Sequence, residues 1–256
     1  MKAEKKLFGS KALVTGAARG IGEVIARALA QEGASVAVAD INFEGAKQLA
    51  SEIERMGGKA LAIPVDVTQS QEVSRMVREI LGQWETLDIL VNNAGGFDRI
   101  NPITKTSEEE WDQVIALNLK STFLCSRAVA EHMMERRKGT IINIASQASL
   151  GPSASSAPCC PYGAAKAGVV GFTRHLAKEL GPYGITVNAI SPGTIPTARV
   201  VKLRGGQGLE KIAEAYPLRH LVEPRDVAEA VLFLASGGGK SITGINLNIN
   251  CGDLMI

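Results

Sequence analysis

The chain has 256 residues, 45% of them hydrophobic, and a formal net charge of +2. At this length one core can bury roughly 75% of the unfolded surface, so a single domain over 1–256 is expected. The balanced charge offers no broad basic face to nucleic acid, and "KAEKK" and "ERRK" read as short solvated ends. No apolar run approaches the ~20 residues of a membrane span. The opening "MKAEKKLFGSKALVTG" lacks the apolar core of a signal peptide, which implies a cytoplasmic protein.

Short Val/Ile/Leu-rich runs alternate with helical patterns along the chain. The first run, "KALVT", enters the turn "VTGAARGIG", in which Gly16, Gly20 and Gly22 permit a tight bend and close backbone approach. The helix that follows, with Ile21, Val24, Ile25, Ala28 and Leu29 on one face, would offer its unpaired N–H groups to a pyrophosphate. A phosphate-binding P-loop is excluded because Glu23 stands where Lys and then Ser or Thr would be needed. The second run, "SVAVAD", ends at Asp40. A carboxylate there accepts hydrogen bonds from an adenosine ribose and repels a 2′-phosphate, which favours NAD over NADP. Arg19 in the glycine turn pulls the other way, so NADP stays possible.

Further strands are predicted at "KALAI", "LDILV", "TIINIA", "GITVNAI" and "INLNI". Between them, Val73, Met76, Val77, Ile80 and Leu81 share a helical face after the capping-box-like "TQSQ". A second capping box, Ser107 to Glu110, opens "SEEEWDQVIALNL", and Pro224 starts the late helix "PRDVAEAVLFLA". "GGGKS" at 237–241 follows a helix and reads as a loop. The alternation implies an α/β fold of Rossmann type: a doubly wound, seven-stranded parallel sheet with helices on both faces. The four cysteines lack metal-ligand spacing and read as reduced thiols; the three histidines form no ligand pair, so no metal site is expected.

Tyr162 and Lys166, four residues apart, fall on one face of a predicted helix. With the glycine turn, "DVT" at 66–68, "NNAG" at 92–95, Asn118 in "ALNL", "INIAS" ending at Ser146, "NAISPGTIPT" at 188–197 and "ITGINLNI", they resemble the short-chain dehydrogenase/reductase family over nearly the whole chain. The resemblance implies a dinucleotide-dependent oxidoreductase of small alcohols or ketones, assembled as a homotetramer or homodimer. It assigns Tyr162 as acid/base, Lys166 as the cation that lowers its pKa and holds the nicotinamide ribose, Ser146 as donor to the substrate oxygen, and Asn118 as holder of a proton-relay water. The cofactor would be lined by Gly16, Arg19, Gly20, Ile21, Gly22 and Asp40, then by Asp66 and Val67 at the adenine and Asn93, Ala94 and Gly95 at the middle. Tyr162, Lys166, Pro192, Gly193, Ile195 and Thr197 would complete the nicotinamide end.

The chain departs from the family in two places. The stretch 147–161 is longer than usual, so Ser149 competes with Ser146 on spacing, although only Ser146 keeps register with the "INIAS" strand. The extra residues are expected to form a loop over the substrate, with Cys159 and Cys160 as small hydrophobes in its pocket. Asn250 and Cys251 stand where the family has aspartate and glycine. A mobile substrate loop is expected at about 194–220; its Arg199, Lys202, Arg204 and Arg219 read as solvated charge, with an anionic substrate as the alternative.

Overall fold

A computed structural model describes residues 5–153 and 159–255. Seven parallel strands form one sheet: β1 Lys11–Thr15, β2 Ser35–Asp40, β3 Lys59–Pro64, β4 Ile89–Asn92, β5 Gly139–Ile144, β6 Ile185–Pro192 and β7 Asn246–Ile249. Their order is β3-β2-β1-β4-β5-β6-β7. The chain therefore reverses its winding direction between β1 and β4, and the ends of those two strands open a crevice at the carboxyl edge.

Among the described residues, eight α-helices connect the strands: α1 Gly20–Gln31, α2 Phe43–Arg55, α3 Ser70–Trp84, α4 Glu108–Ile115, α5 Ser121–Arg136, α6 Cys160–Leu180, α7 Ala198–Ala215 and α8 Pro224–Ala235. Alternation along each strand separates two cores. Val14, Val38, Val91 and Ile144 point toward α1, α2 and α8, where Ile25, Leu29, Leu49 and Val231 are buried. Leu13, Leu90, Ile141 and Val187 point the other way, against Met76 and Ile80 of α3 and Val129 and Met133 of α5.

Several local expectations are refined. The "TQSQ" box does not form: Thr68 instead bonds Asp66, and Gln69 begins α3 without a side-chain cap. Ser107 does cap α4 by accepting from Glu110 N–H, but the Glu110 carboxylate accepts from Asn101 rather than returning the bond. The reciprocal box sits at α8, between Glu223 and Asp226, with Pro224 inside it. Segment 194–220 is largely the helix α7, broken at Gly205 (φ 68°), rather than an irregular loop. The longer 147–161 stretch begins as a 3-10 turn, Gln147–Ser149; its residues 154–158 lie outside the described residues.

The base of the sheet is tied by the buried Asp88. Its Oδ2 accepts from Lys11 N–H at 2.9 Å, and its Oδ1 stands 3.1 Å from Arg136 and 3.3 Å from Lys138. Burial pushes the carboxyl up, but the Lys11 bond and the two cations outweigh it and hold its pKa below the ordinary value. A depressed native pKa gives stability that is present above about pH 4 and lost as pH falls through the native value. Asp88→Asn should therefore cost about 1–3 kcal/mol in urea unfolding at pH 7, and the gap to wild type should close toward pH 3. A gap independent of pH would refute the electrostatic account.

Candidate active site

The glycine turn after β1 is braced by the end of β4. Thr15 Oγ1 accepts from the N–H groups of Asn93 and Ala94, both at 3.1 Å. Asn93 Nδ2 donates to the carbonyls of Thr15 and Gly16 at 2.9 and 3.0 Å. Gly22 completes the joint: a Cβ there would overlap the Gly16 carbonyl and lie 2.5 Å from Asn93 Nδ2. The helix N-terminus above is open, because Arg19 at the N-cap makes no side-chain hydrogen bond. Bare N–H groups at a helix start, with no side chain covering them, suit a pyrophosphate.

Asp40 borders the same turn. Its Oδ2 accepts from Ala18 N–H at 2.9 Å and its Oδ1 from Asn42 N–H at 2.8 Å, so the carboxylate is fixed at the end of β2. Arg19 is exposed. Asp66 accepts from Thr68, and Val67 is buried beside it. On the other side of the crevice, Pro192 ends β6, Ile195 is buried, and Thr197 caps α7 with its methyl 3.7 Å from where a Cβ of Gly20 would be. Gly193 N–H donates to Ile249 O at 2.7 Å. These residues all lie at or just after the carboxyl ends of β1, β2, β3, β4 and β6.

At its far end α6 carries Tyr162 and Lys166. Lys166 is buried, and its Nζ donates to the Ile144 carbonyl at 2.7 Å and stands 5.7 Å from the Tyr162 ring centre. Among the described residues it has no carboxylate partner, and burial pushes its pKa down to about 8. The Tyr162 phenol is pushed up by burial; a hydrogen bond from Ser146 and the charge of Arg199 pull it back down. In the protein alone, Ser146 and Arg199 favour phenolate, and Lys166 Nζ gives one of its bonds to the Ile144 carbonyl beside the ring. Ser146 also caps the next turn, accepting from Ala148 N–H at 3.2 Å. Ser149 instead meets Ser191 Oγ at 3.2 Å, so of the two serines it is Ser146 that faces the phenol.

Asn118 is fully buried inside a π-helical turn, Ala116–Lys120, between α4 and α5. Its Oδ1 accepts from Gly96 N–H and its Nδ2 donates to the carbonyls of Gly96 and Val114, all at 2.8 Å. The widened turn is what lets a helix residue reach sideways to the loop after β4. Cys159 is buried at the start of α6, where its thiol accepts from Tyr162 N–H; Cys160 is exposed. Three features escaped the sequence reading. Phe97 packs on Tyr162 with ring centres 4.7 Å apart. Arg199 acts on the phenol. A buried chain runs from Ser126 through Asn92 and Asn143 to Thr173. The doubled glycine at 95–96 was the available signal for the second.

This crevice can be compared with known proteins. A family model described as enoyl-(acyl carrier protein) reductase matches residues 16–253. The chain belongs to the short-chain dehydrogenase/reductase family. It is 41% identical over 241 residues to subunit BbsD of a hydroxy(phenyl)methylsuccinyl-CoA dehydrogenase from Thauera aromatica, covering 94% of each chain. It is 40% identical over 252 residues to a 3-oxoacyl-acyl-carrier-protein reductase of Staphylococcus epidermidis, covering 97% of this chain and 100% of that one. A 7α-hydroxysteroid dehydrogenase structure, in complex with NADH and 7-oxo glycochenodeoxycholic acid, superposes with a TM-score of 0.92 at 34% identity, over 99% of this chain and 97% of that one. This family member is therefore an oxidoreductase acting on hydroxyl or carbonyl groups, and NAD(P) is the cofactor class of its family. Among the described residues, no helix is long and apolar enough to cross a membrane, and no three His, Cys, Asp or Glu side chains group as metal ligands.

The joint at Gly22 yields a direct test. Gly22→Ala should weaken NADH binding at least about tenfold in a fluorescence titration, with the circular dichroism spectrum unchanged, since the added methyl must push the turn away from β4. Unaltered affinity would show that the turn does not form the cradle.

Proposed function

We propose that the protein is an NAD-dependent dehydrogenase or reductase of secondary alcohols and ketones, with Tyr162 as proton acceptor and donor. The observation that carries this is the convergence of Ser146 and Tyr162 beside the buried Lys166 at the end of a crevice whose other end is an open helix N-terminus. The bound dinucleotide supplies the hydride acceptor for oxidation and the donor for reduction. Gly16 to Gly22 would hold its pyrophosphate, Asp40 its adenosine ribose, Asp66 and Val67 its adenine, and Asn93, Ala94 and Gly95 its middle. Pro192, Gly193, Ile195 and Thr197 would enclose the nicotinamide end.

Tyr162 takes the hydroxyl proton of the alcohol as the carbon loses hydride, and returns it in the reverse direction. Ser146 donates to the substrate oxygen and steadies the charge that develops there. Lys166 has three N–H bonds and gives one to Ile144 O, leaving others for a ribose hydroxyl. Asn118 ties down the Gly96 backbone through its amide, and the relay water that the resemblance implies would sit beside it. A homodimer or homotetramer is the proposed assembly, supported by the exposed Trp111, Phe123 and Phe233 on α4, α5 and α8. The 40%-identical acyl-carrier-protein reductase supports a second reading, a 3-oxoacyl reductase using NADP.

Reduced-cofactor absorbance, followed with NAD and NADP over secondary alcohols, sugars, steroids and hydroxy acids, separates the two. NAD should be preferred by more than about tenfold, equivalent to about 1.4 kcal/mol; the opposite preference would remove the role given to Asp40. On any substrate found, Tyr162→Phe should lower kcat about 10³-fold and Ser146→Ala about 10²-fold, with NADH affinity held within about threefold. Ser149→Ala should stay within about twofold of wild type; a loss there matching Ser146→Ala would reverse the choice of serine.

A further inference from the structure

Among the basic residues of 198–220, one is built into the crevice. Arg199 stands in the first turn of α7, and its Nη1 donates to the Gly95 carbonyl at 2.9 Å. The next residue along that loop, Gly96, has φ 125°, and a Cβ on it would overlap the Arg199 guanidinium. The residue after it, Phe97, packs its ring on Tyr162. Arg199 and the phenol therefore flank the same short loop, and the guanidinium fills a notch that only glycine leaves open. On the other side of that loop, a Cβ on Gly95 would lie 3.2 Å from Lys166 Nζ.

The partners of Arg199 leave it available. Its ion pair is with Asp98, 3.5 Å from Nε, and the Asp98 side chain is 88% exposed. A pair of that kind is worth at most about 1 kcal/mol and exchanges readily. Among the described residues, Nη2 has no hydrogen-bond partner. The neighbouring cations differ: Lys202 is exposed to solvent, Arg219 donates to the Glu214 carbonyl, and Arg204 is half-buried near Tyr216, away from the Gly95–Phe97 loop that Arg199 meets. A guanidinium with a free edge, beside an aromatic wall and the proton-transferring phenol, matches a planar carboxylate.

We propose that Arg199 is a specificity-determining residue that receives a carboxylate of the substrate in place of Asp98, so that the alcohol oxidised is a hydroxy acid. The assignment deepens the dehydrogenase function proposed above and rests on it. Phe97 covers the apolar part of the substrate between the carbinol carbon and the carboxylate.

The test uses three acids, lactate, 3-hydroxybutanoate and 3-hydroxy-3-phenylpropanoate, each paired with its neutral methyl ester. Binding to the NAD-saturated protein is measured by calorimetry, and turnover is followed in parallel. At least one acid should bind about tenfold or more tightly than its ester. That ratio should fall to near one in Arg199→Met, survive in part in Arg199→Lys, and rise about threefold in Asp98→Asn, where the competing carboxylate is gone. The Asp98→Asn gain is a change that a merely structural arginine would not produce. Equal binding of acid and ester in all three pairs, or a ratio untouched by Arg199→Met, overturns the proposal. So does an equal loss for acids and esters, which would mark Arg199 as a brace between α7 and the loop. Acid-selective binding without turnover of any alcohol would keep the carboxylate site and defeat the dehydrogenase reading; turnover of neutral alcohols without acid preference would do the reverse.

Discussion

The arrangement around Tyr162 depends on a lysine placed where water cannot reach it. Lys166 is 3% exposed and bonds the last carbonyl of β5. A buried ammonium without a partner would be costly, so the Ile144 contact both satisfies one donor and fixes the rotation of α6 over the strand end. Tyr162, one turn earlier, is thereby held against Ser146, which leaves the same strand. The cost of burying the amine appears as its depressed pKa, about 8. An amine kept this close to losing its proton near neutral pH is more responsive to whatever is bound beside it than an exposed lysine would be.

The glycine turn relies on a different kind of connection, neutral and joining side chains to backbone. Thr15, Asn93 and the Gly16 carbonyl join the ends of β1 and β4 at the point where the sheet reverses its winding. Such a site is set by strand register, with little dependence on any one charged residue. The polar chain Ser126–Asn92–Asn143–Thr173 continues the same logic through the interior, carrying α5, β4, β5 and α6 in one set of bonds.

Much of this was legible in the sequence. The seven strands lie where the apolar runs place them, because a parallel sheet covered on both faces writes itself as short continuous hydrophobic segments. Asp40 and Ser146 could be named because each closes such a run, and Gly22 and Tyr162 because their spacing to neighbouring glycines and to Lys166 is itself a pattern. What spacing does not encode is where a long side chain goes. Arg199 read as surface charge among other basic residues, whereas its guanidinium crosses to Gly95. The capping pattern at "TQSQ" failed because Thr68 had a nearer acceptor in Asp66. Nor does any linear pattern reveal that Lys166 reaches the Ile144 carbonyl across the helix–strand contact.

The fit between Gly96 and Arg199 has an evolutionary consequence. No side chain can be added at 96 while the guanidinium remains, and losing the guanidinium leaves a hole that a methyl group could fill. Drift at these two positions is thus coupled: divergent copies of the gene should pass between a glycine–arginine pair and a bulkier–neutral pair, and a lineage that crossed over would have altered the charge its pocket tolerates in the same passage.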